Sequence, residues 1–151
     1  MATVQFHITT DDAVFSPPNQ RHALDSVASA LLPGALVLAN SQGTRREALV
    51  LLLGHITECL LKSIALNSGA VGNELRNKSV RHNLVGLWRL AAVECSQIPP
   101  TTPHWVEALN KFHDFPYASR YMRDINAYSL PETESALDGV ISLHALAKEL
   151  S

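Results

Sequence analysis

One polar stretch, residues 76 to 82, contains the side-chain types that metal-independent RNA cleavage uses. Arg76 and Asn77 precede His82, with five residues between the arginine and the histidine. A histidine can exchange a proton with a ribose 2′-hydroxyl near neutral pH. An arginine can stabilise the negative charge that develops on the phosphorus, and an asparagine can orient either group. The candidate catalytic residues are therefore Arg76, Asn77 and His82.

The same stretch has a plainer interpretation as a connection between two helices. Arg76 and Lys78 would then be solvated loop charges, and His82 with Asn83 would cap the helix that follows. Motif matches in a single sequence are often fortuitous, so this interpretation is the favoured one.

A second polar set lies on the most apolar segment of the chain. His55, Glu58 and Lys62 follow one another at three and four positions, which places them on one face of a helix. They are candidate binding residues if this face lines a cleft towards Arg76 and His82. The favoured alternative is a partly exposed Glu58–Lys62 ion pair. A second histidine at zinc-protease spacing is missing, and we predict neither a metal site nor a cofactor.

A third polar cluster, formed by Arg120, Tyr121 and Arg123, combines two guanidinium groups with an aromatic ring. Such a cluster can hold a phosphate and stack a base, which makes these residues further binding candidates. The favoured interpretation is structural: an arginine–carboxylate contact and tyrosine packing would hold one end of the fold together.

Composition limits the classes of protein that fit. The chain has 151 residues, 46% hydrophobic and 17% charged, which suits one domain with a sizeable core. A formal net charge of -2 gives no overall attraction to nucleic acid, so any such contact needs a local basic patch. Cys59 and Cys95 lie in apolar helical patterns and are expected to be reduced. We expect a cytoplasmic protein without a membrane-spanning segment or a signal peptide.

Helical spacing of apolar residues recurs along the chain. The clearest helix runs from Thr44 to about Asn67 and is apolar on nearly every side, so it is expected at the centre of a bundle. A helix interrupted at Pro33 precedes it, and three more follow. The sequence predicts an all-α, up-down antiparallel bundle of four to five helices over residues 20–151. Residues 1–19 are expected to form a short extended or hairpin extension.

Three stretches together resemble the HEPN domain family. The long helix carries a His-x-x-Glu-x-x-Leu-Lys-like pattern in His55, Glu58, Leu61 and Lys62. "RHNLVGLW" is similar to the family's Gly-His-Asp-Leu-type helix start, with arginine in place of glycine. "SRYMRD" resembles the family's Arg-Tyr-Pro segment, with methionine in place of proline.

The resemblance implies a helical bundle that is often dimeric and is often involved in RNA cleavage by toxins or defence proteins. In catalytic members of the family an arginine is followed, after four to six residues, by a histidine. The resemblance puts His82 in the helix-start pattern instead of in this catalytic motif. The favoured hypothesis is therefore a module that binds RNA, a nucleotide or a protein partner without catalysis. A nucleotidyltransferase-type protein or an antitoxin is a possible partner, and a homodimer is expected. The alternatives are a metal-independent ribonuclease using Arg76 and His82, and an architectural dimerisation domain motivated by apolar Val50, Leu51 and Leu61.

Overall fold

The protein is described here by a computed structural model that covers residues 20–41, 46–114, 117 and 130–151. The expected N-terminal hairpin, residues 1–19, lies outside these ranges. Within them the chain is all-helical, with no strand. The elements are α1 (Gln20–Asn40), α2 (Arg46–Ser68), a short 3-10 helix (Glu74–Arg76), α3 (Leu84–Glu94), α4 (His104–His113) and α5 (Glu134–Leu150).

Helix α2 is the central element of the fold, and it contacts α1, α3, α4 and α5. Leu53, Ile56 and Leu60 on this helix are fully buried, which confirms the prediction that it lies at the centre of a bundle. An apolar surface on every side of a helix is stable only when other helices cover it. Val50 and Leu61, which motivated the dimerisation hypothesis, are also buried in the core of the single chain.

Helix α1 continues through Pro33 as one element, where the sequence predicted a kink or two short helices. Pro33 is exposed, so the carbonyl group left without its helical hydrogen bond can be hydrated. Two polar contacts tie α1 to α5. Lys148 Nζ lies 3.0 Å from Asp25 Oδ2, and the Ser29 hydroxyl lies 2.9 Å from His144 Nε2.

Helix α3 ends at Glu94, although apolar residues continue at helical spacing to Ile98, four positions further on. Ile98 remains 3% exposed, because the chain turns after Cys95 and returns the side chain to the core. Helix α4 begins after Pro103, and no side chain at this N-cap position accepts a hydrogen bond from the first turn.

Among the described residues, two helices have the length and composition of a membrane span. The qualifying windows are His22–Asn40 and Arg46–Ser68, with mean hydropathies of 1.4 and 1.8. The second window is 78% buried inside the bundle and the first is 22% buried. The core helix of a globular fold meets the same criterion. The apolar composition of α2 is therefore explained by its burial at the centre of the bundle.

Candidate functional site

Glu58 is at the centre of a polar cluster in the otherwise apolar interior. Its carboxylate lies 2.5 Å from Lys62 Nζ, 2.5 Å from His113 Nε2 and 3.2 Å from His82 Nδ1. The side chain of Glu58 is 7% exposed and that of Lys62 is 14% exposed. The ion pair predicted from the spacing of four is present, but it is largely buried. Two helices, α2 and α4, and the turn before α3 therefore supply donors to a single carboxylate.

Burial raises the pKa of Glu58, since it removes water from the charged form. Hydrogen bonds from His113 and Lys62, together with the positive charge of Lys62, have the larger combined effect and hold that pKa well below its usual range. The carboxylate is therefore ionised at neutral pH and acts only as an acceptor.

Local structure explains how His113, on α4, reaches Glu58 on α2. Gly54 lies one turn before Glu58, and a Cβ atom at Gly54 would be 2.8 Å from His113 Nδ1. The absence of a side chain at this position lets the imidazole lie against α2. Because the carboxylate only accepts, Nε2 is the protonated nitrogen of His113. Nδ1 is buried and has no hydrogen-bond partner among the described residues, which suits an unprotonated nitrogen better than an unpaired N–H.

The start of α3 is attached to the end of α4 by hydrogen bonds, and this attachment positions His82. The Asn83 side chain accepts from Gly86 N at 2.6 Å and donates to Asp114 Oδ2 at 2.6 Å. The backbone N–H of Leu84 donates to Asn110 Oδ1 at 2.6 Å. Asn83 therefore caps α3, as predicted, and also bridges to α4. His82, the preceding residue, is held near His113.

Glu58 fixes the orientation of the His82 ring. Nδ1 lies 3.2 and 3.3 Å from the two carboxylate oxygens, so the Nδ1 proton is donated to Glu58. The Tyr117 ring meets the imidazole edge-on, with ring centroids 6.0 Å apart. The second ring nitrogen of His82, Nε2, does not take part in the bond to Glu58. The His82 side chain is 29% exposed. His82 is therefore the member of the cluster that joins the buried carboxylate to the protein surface.

The turn before His82 has an exposed, cationic surface. Arg76, Lys78 and Arg81 are all exposed, and in the described part of the chain none of them forms an ion pair. The Asn77 side chain accepts from the backbone N–H of Ser79 at 3.2 Å and from its hydroxyl at 3.1 Å. Asn77 therefore shapes the turn, and its carbonyl also accepts from Val80 and Arg81.

The structure brings together only part of the predicted site. Glu58, Lys62 and His82 meet, whereas no hydrogen bond between described residues joins Arg76 or Asn77 to His82. His55 lies apart, with Nε2 4.0 Å from Cys59 Sγ, in a groove between α1 and α2. The third predicted cluster, Arg120, Tyr121 and Arg123, lies outside the described residues.

His113 was not among the candidate site residues taken from the sequence. A signal was available in the amphipathic spacing of α4. His113 follows Leu109 by four positions and Val106 by seven, on the stripe that faces the core. A histidine on such a stripe needs a polar partner, and Glu58 is the carboxylate buried in that region.

In the part of the chain that the structure describes, neither a reactive thiol nor a metal centre accompanies the cluster. Burial and, to a smaller extent, the negative charge of Glu58 together raise the pKa of the Cys59 thiol to about 11, so the sulfur is protonated and unreactive. Among the residues the structure describes, no group of three or more histidine, cysteine, aspartate and glutamate side chains is arranged to hold a metal ion. The chemistry available here is hydrogen bonding, charge and proton transfer by His82.

The described part of the protein is therefore an all-α fold with a buried cluster of one glutamate, one lysine and two histidines. One of these histidines, His82, lies at the end of an exposed cationic turn. Comparison of the chain with protein-family models, with curated proteins and with solved structures gave no match.

Proposed function

We propose that this protein is an up-down, HEPN-like helical module that binds RNA through the turn at residues 76–82, without catalysis. The observation that carries the proposal is the exposure of three cationic side chains, Arg76, Lys78 and Arg81, on one short turn of an acidic protein. Phosphate groups are the ligands that such side chains bind with least desolvation cost.

The surroundings of the turn support the same proposal. The one carboxylate of the adjoining 3-10 helix, on Glu74, accepts the backbone N–H of Val71 at 2.8 Å. His82 and Tyr117 add partly exposed rings beside the cations. Aromatic and imidazole rings next to basic side chains suit single-stranded RNA, whose unpaired bases are free to stack.

We propose that the protein is not catalytic because the hydrogen bonds of the Glu58 carboxylate serve the packing of the core. Its two oxygens already accept from Lys62, His113 and His82, which is a pattern of structural satisfaction in a core. A cation placed to stabilise a phosphorane would have to be available next to His82. Lys62 is already paired with Glu58, and no hydrogen bond between described residues joins Arg76 to His82. The histidine then orders the turn and contributes a hydrogen bond to the ligand.

Salt-dependent binding tests this proposal. A fluorescein-labelled single-stranded RNA should bind saturably in an anisotropy titration, and three phosphate contacts predict a slope of about -2 for log K against log salt concentration. Arg76→Gln with Lys78→Gln should weaken binding about tenfold and flatten the slope. The matched control, Arg89→Gln with Lys111→Gln, removes two exposed charges elsewhere and should leave binding unchanged. Equal weakening by both pairs would contradict a site at the turn.

A second candidate, a metal-independent ribonuclease, is favoured by one specific observation. Glu58 holds the Nδ1 proton of His82, so Nε2 carries a lone pair, and the His82 side chain is 29% exposed. In such a reaction Nε2 takes the proton of a ribose 2′-hydroxyl, and the oxygen attacks the adjacent phosphorus. The 5′-oxygen leaves with a proton from solvent, and a 2′,3′-cyclic phosphate forms.

The two candidates are separated by an assay of RNA integrity in the presence of EDTA. Catalysis predicts 2′,3′-cyclic phosphate ends with the wild type and with His104→Ala, which changes an exposed histidine, but not with His82→Ala. Intact RNA with saturable binding supports the binding module alone. Equal cleavage by wild type and His82→Ala would exclude His82 as the catalytic group.

A further inference from the structure

A separate open cavity of about 560 Å³ lies where α3, the segment after it, α4 and α5 meet. Its volume is in the range of small-molecule sites. None of its lining residues belongs to the Glu58 cluster or to the cationic turn. The lining is mainly apolar and includes Trp88, Trp105, Ile98, Leu143 and Leu146.

The two tryptophan rings of the cavity are held in place by neighbouring backbone. Trp88 donates its indole N–H to the carbonyl oxygen of Pro99 at 2.8 Å. Trp105 packs directly on α5 at Gly139, where a Cβ atom would collide with the six-membered part of the indole. The rings meet edge to face, with centroids 6.2 Å apart and an interplanar angle of 88°. The aromatic wall is therefore already formed without a ligand.

The described residues that line the cavity carry one charged side chain, that of Glu149, and this side chain is exposed. Ala145, Leu146 and Glu149 line the cavity from the last turns of α5, which ends at Leu150. The carboxyl end of a helix carries a partial negative charge, so it adds to the carboxylate. The faces of tryptophan rings also attract cations.

We propose that this cavity binds an organic cation, namely an ammonium group on an apolar stem. The stem would lie against the tryptophan wall and the ammonium group beside Glu149. The polar side chains of Gln97 and Ser142, which also line the cavity, would accept hydrogen bonds from it. The same chemistry occurs in a free aliphatic amine and in a lysine side chain of a peptide. A phosphate ligand is repelled here, so the site is distinct from the proposed RNA surface.

Intrinsic fluorescence tests the proposal directly, because the chain has two tryptophans and both line the cavity. Titration with hexylammonium should give a saturable change in emission. Hexanol, which has the same stem without the charge, should bind about three- to tenfold more weakly. Equal affinity for the two probes, or no saturable response to hexylammonium, would overturn the proposal.

Substitutions at exposed positions test whether the Glu149 carboxylate binds the ammonium group, and they leave the core unchanged. Glu149→Gln should weaken hexylammonium about three- to tenfold and leave hexanol unchanged, while Glu134→Gln, an exposed change at the other end of α5, should alter neither. An unchanged hexylammonium affinity in Glu149→Gln would overturn the proposal. A short peptide with one lysine, compared with its acetylated form, distinguishes the sources. If the unmodified peptide binds and the acetylated peptide does not, the ligand is a lysine side chain of a partner protein. If hexylammonium binds and neither peptide does, the ligand is a small amine.

Discussion

His113 Nε2 lies 2.5 Å from Glu58 Oε2 inside the helical bundle, although the two residues are 55 positions apart and lie on different helices. Both side chains are almost fully buried. The bond joins α4 to the central helix at the level where α3 begins. It therefore connects the packing of three helices with the orientation of His82, which lies at the surface end of the same cluster.

Removal of the Glu58 charge should strongly destabilise the protein. Glu58→Gln leaves Lys62 without its partner in a largely buried position and reduces the acceptors offered to the two histidines. Breaking a buried ion pair on one side costs about 3 kcal/mol or more of the free energy of unfolding. Urea denaturation measures it, with Glu107→Gln as an exposed control that should change stability by less than about 0.5 kcal/mol. Similar stabilities for the two variants would show that the cluster does not stabilise the fold.

The contribution of Glu58 to stability should disappear in acid. The pKa of Glu58 is lowered in the folded state, so its contribution is complete above the unfolded pKa, about 4.3, and is lost as the pH falls towards the lower folded value. The difference in unfolding free energy between wild type and Glu58→Gln should therefore be larger at pH 6 than at pH 3. Denaturant titrations at both pH values measure it. A difference that grows on acidification would contradict the assigned direction.

The missing side chain at Gly54 should be essential for the position of His113. Gly54→Ala places a Cβ atom 2.8 Å from His113 Nδ1, so the ring must move away from Glu58. We expect a loss of about 1 to 3 kcal/mol of stability, despite the better helix propensity of alanine. Gly34→Ala is the matched control, because nothing lies within 4 Å of its Cβ position in α1. It should stabilise the protein by about 0.5 to 1 kcal/mol. Thermal unfolding measures the stability of both variants. An increase in stability for Gly54→Ala as well as for Gly34→Ala would contradict this role for Gly54.

Asn83 should contribute both a helix cap and a contact between helices. Asn83→Ala removes the bonds to Gly86 N and Asp114, and we expect a loss of about 1 to 2 kcal/mol. Asn83→Asp retains the capping oxygen but places a carboxylate beside that of Asp114. Chemical denaturation should find Asn83→Asp destabilised at pH 7, with recovery on acidification as one carboxylate is protonated. A fully stable Asn83→Asp at pH 7 would show that the contact with Asp114 contributes little.

The sequence pattern predicted the helices more accurately than their ends. The run of apolar residues around Leu53 and Leu60 predicted a central helix, since a helix without a polar face has to be buried. The end of α3 at Glu94 was not predicted, because Ile98 belongs to the same apolar spacing and is buried through a turn instead. The start of α5 at Glu134 was likewise not predicted from the apolar spacing. There Glu132 accepts the N–H groups of Glu134 and Ser135.

For the candidate site, the sequence by itself determined the contacts that depend on local spacing. The Glu58–Lys62 pair follows from the helical repeat, and the Asn83 cap follows from the residue preferences at a helix start. Only the tertiary structure decided that His82 and His113 meet Glu58 while His55, one turn away on the same helix, does not. The physical reason is that these contacts depend on how helices approach one another. That approach is set by close packing at positions such as Gly54 and by hydrogen bonds such as Asn83–Asp114, whose partners are distant in the chain.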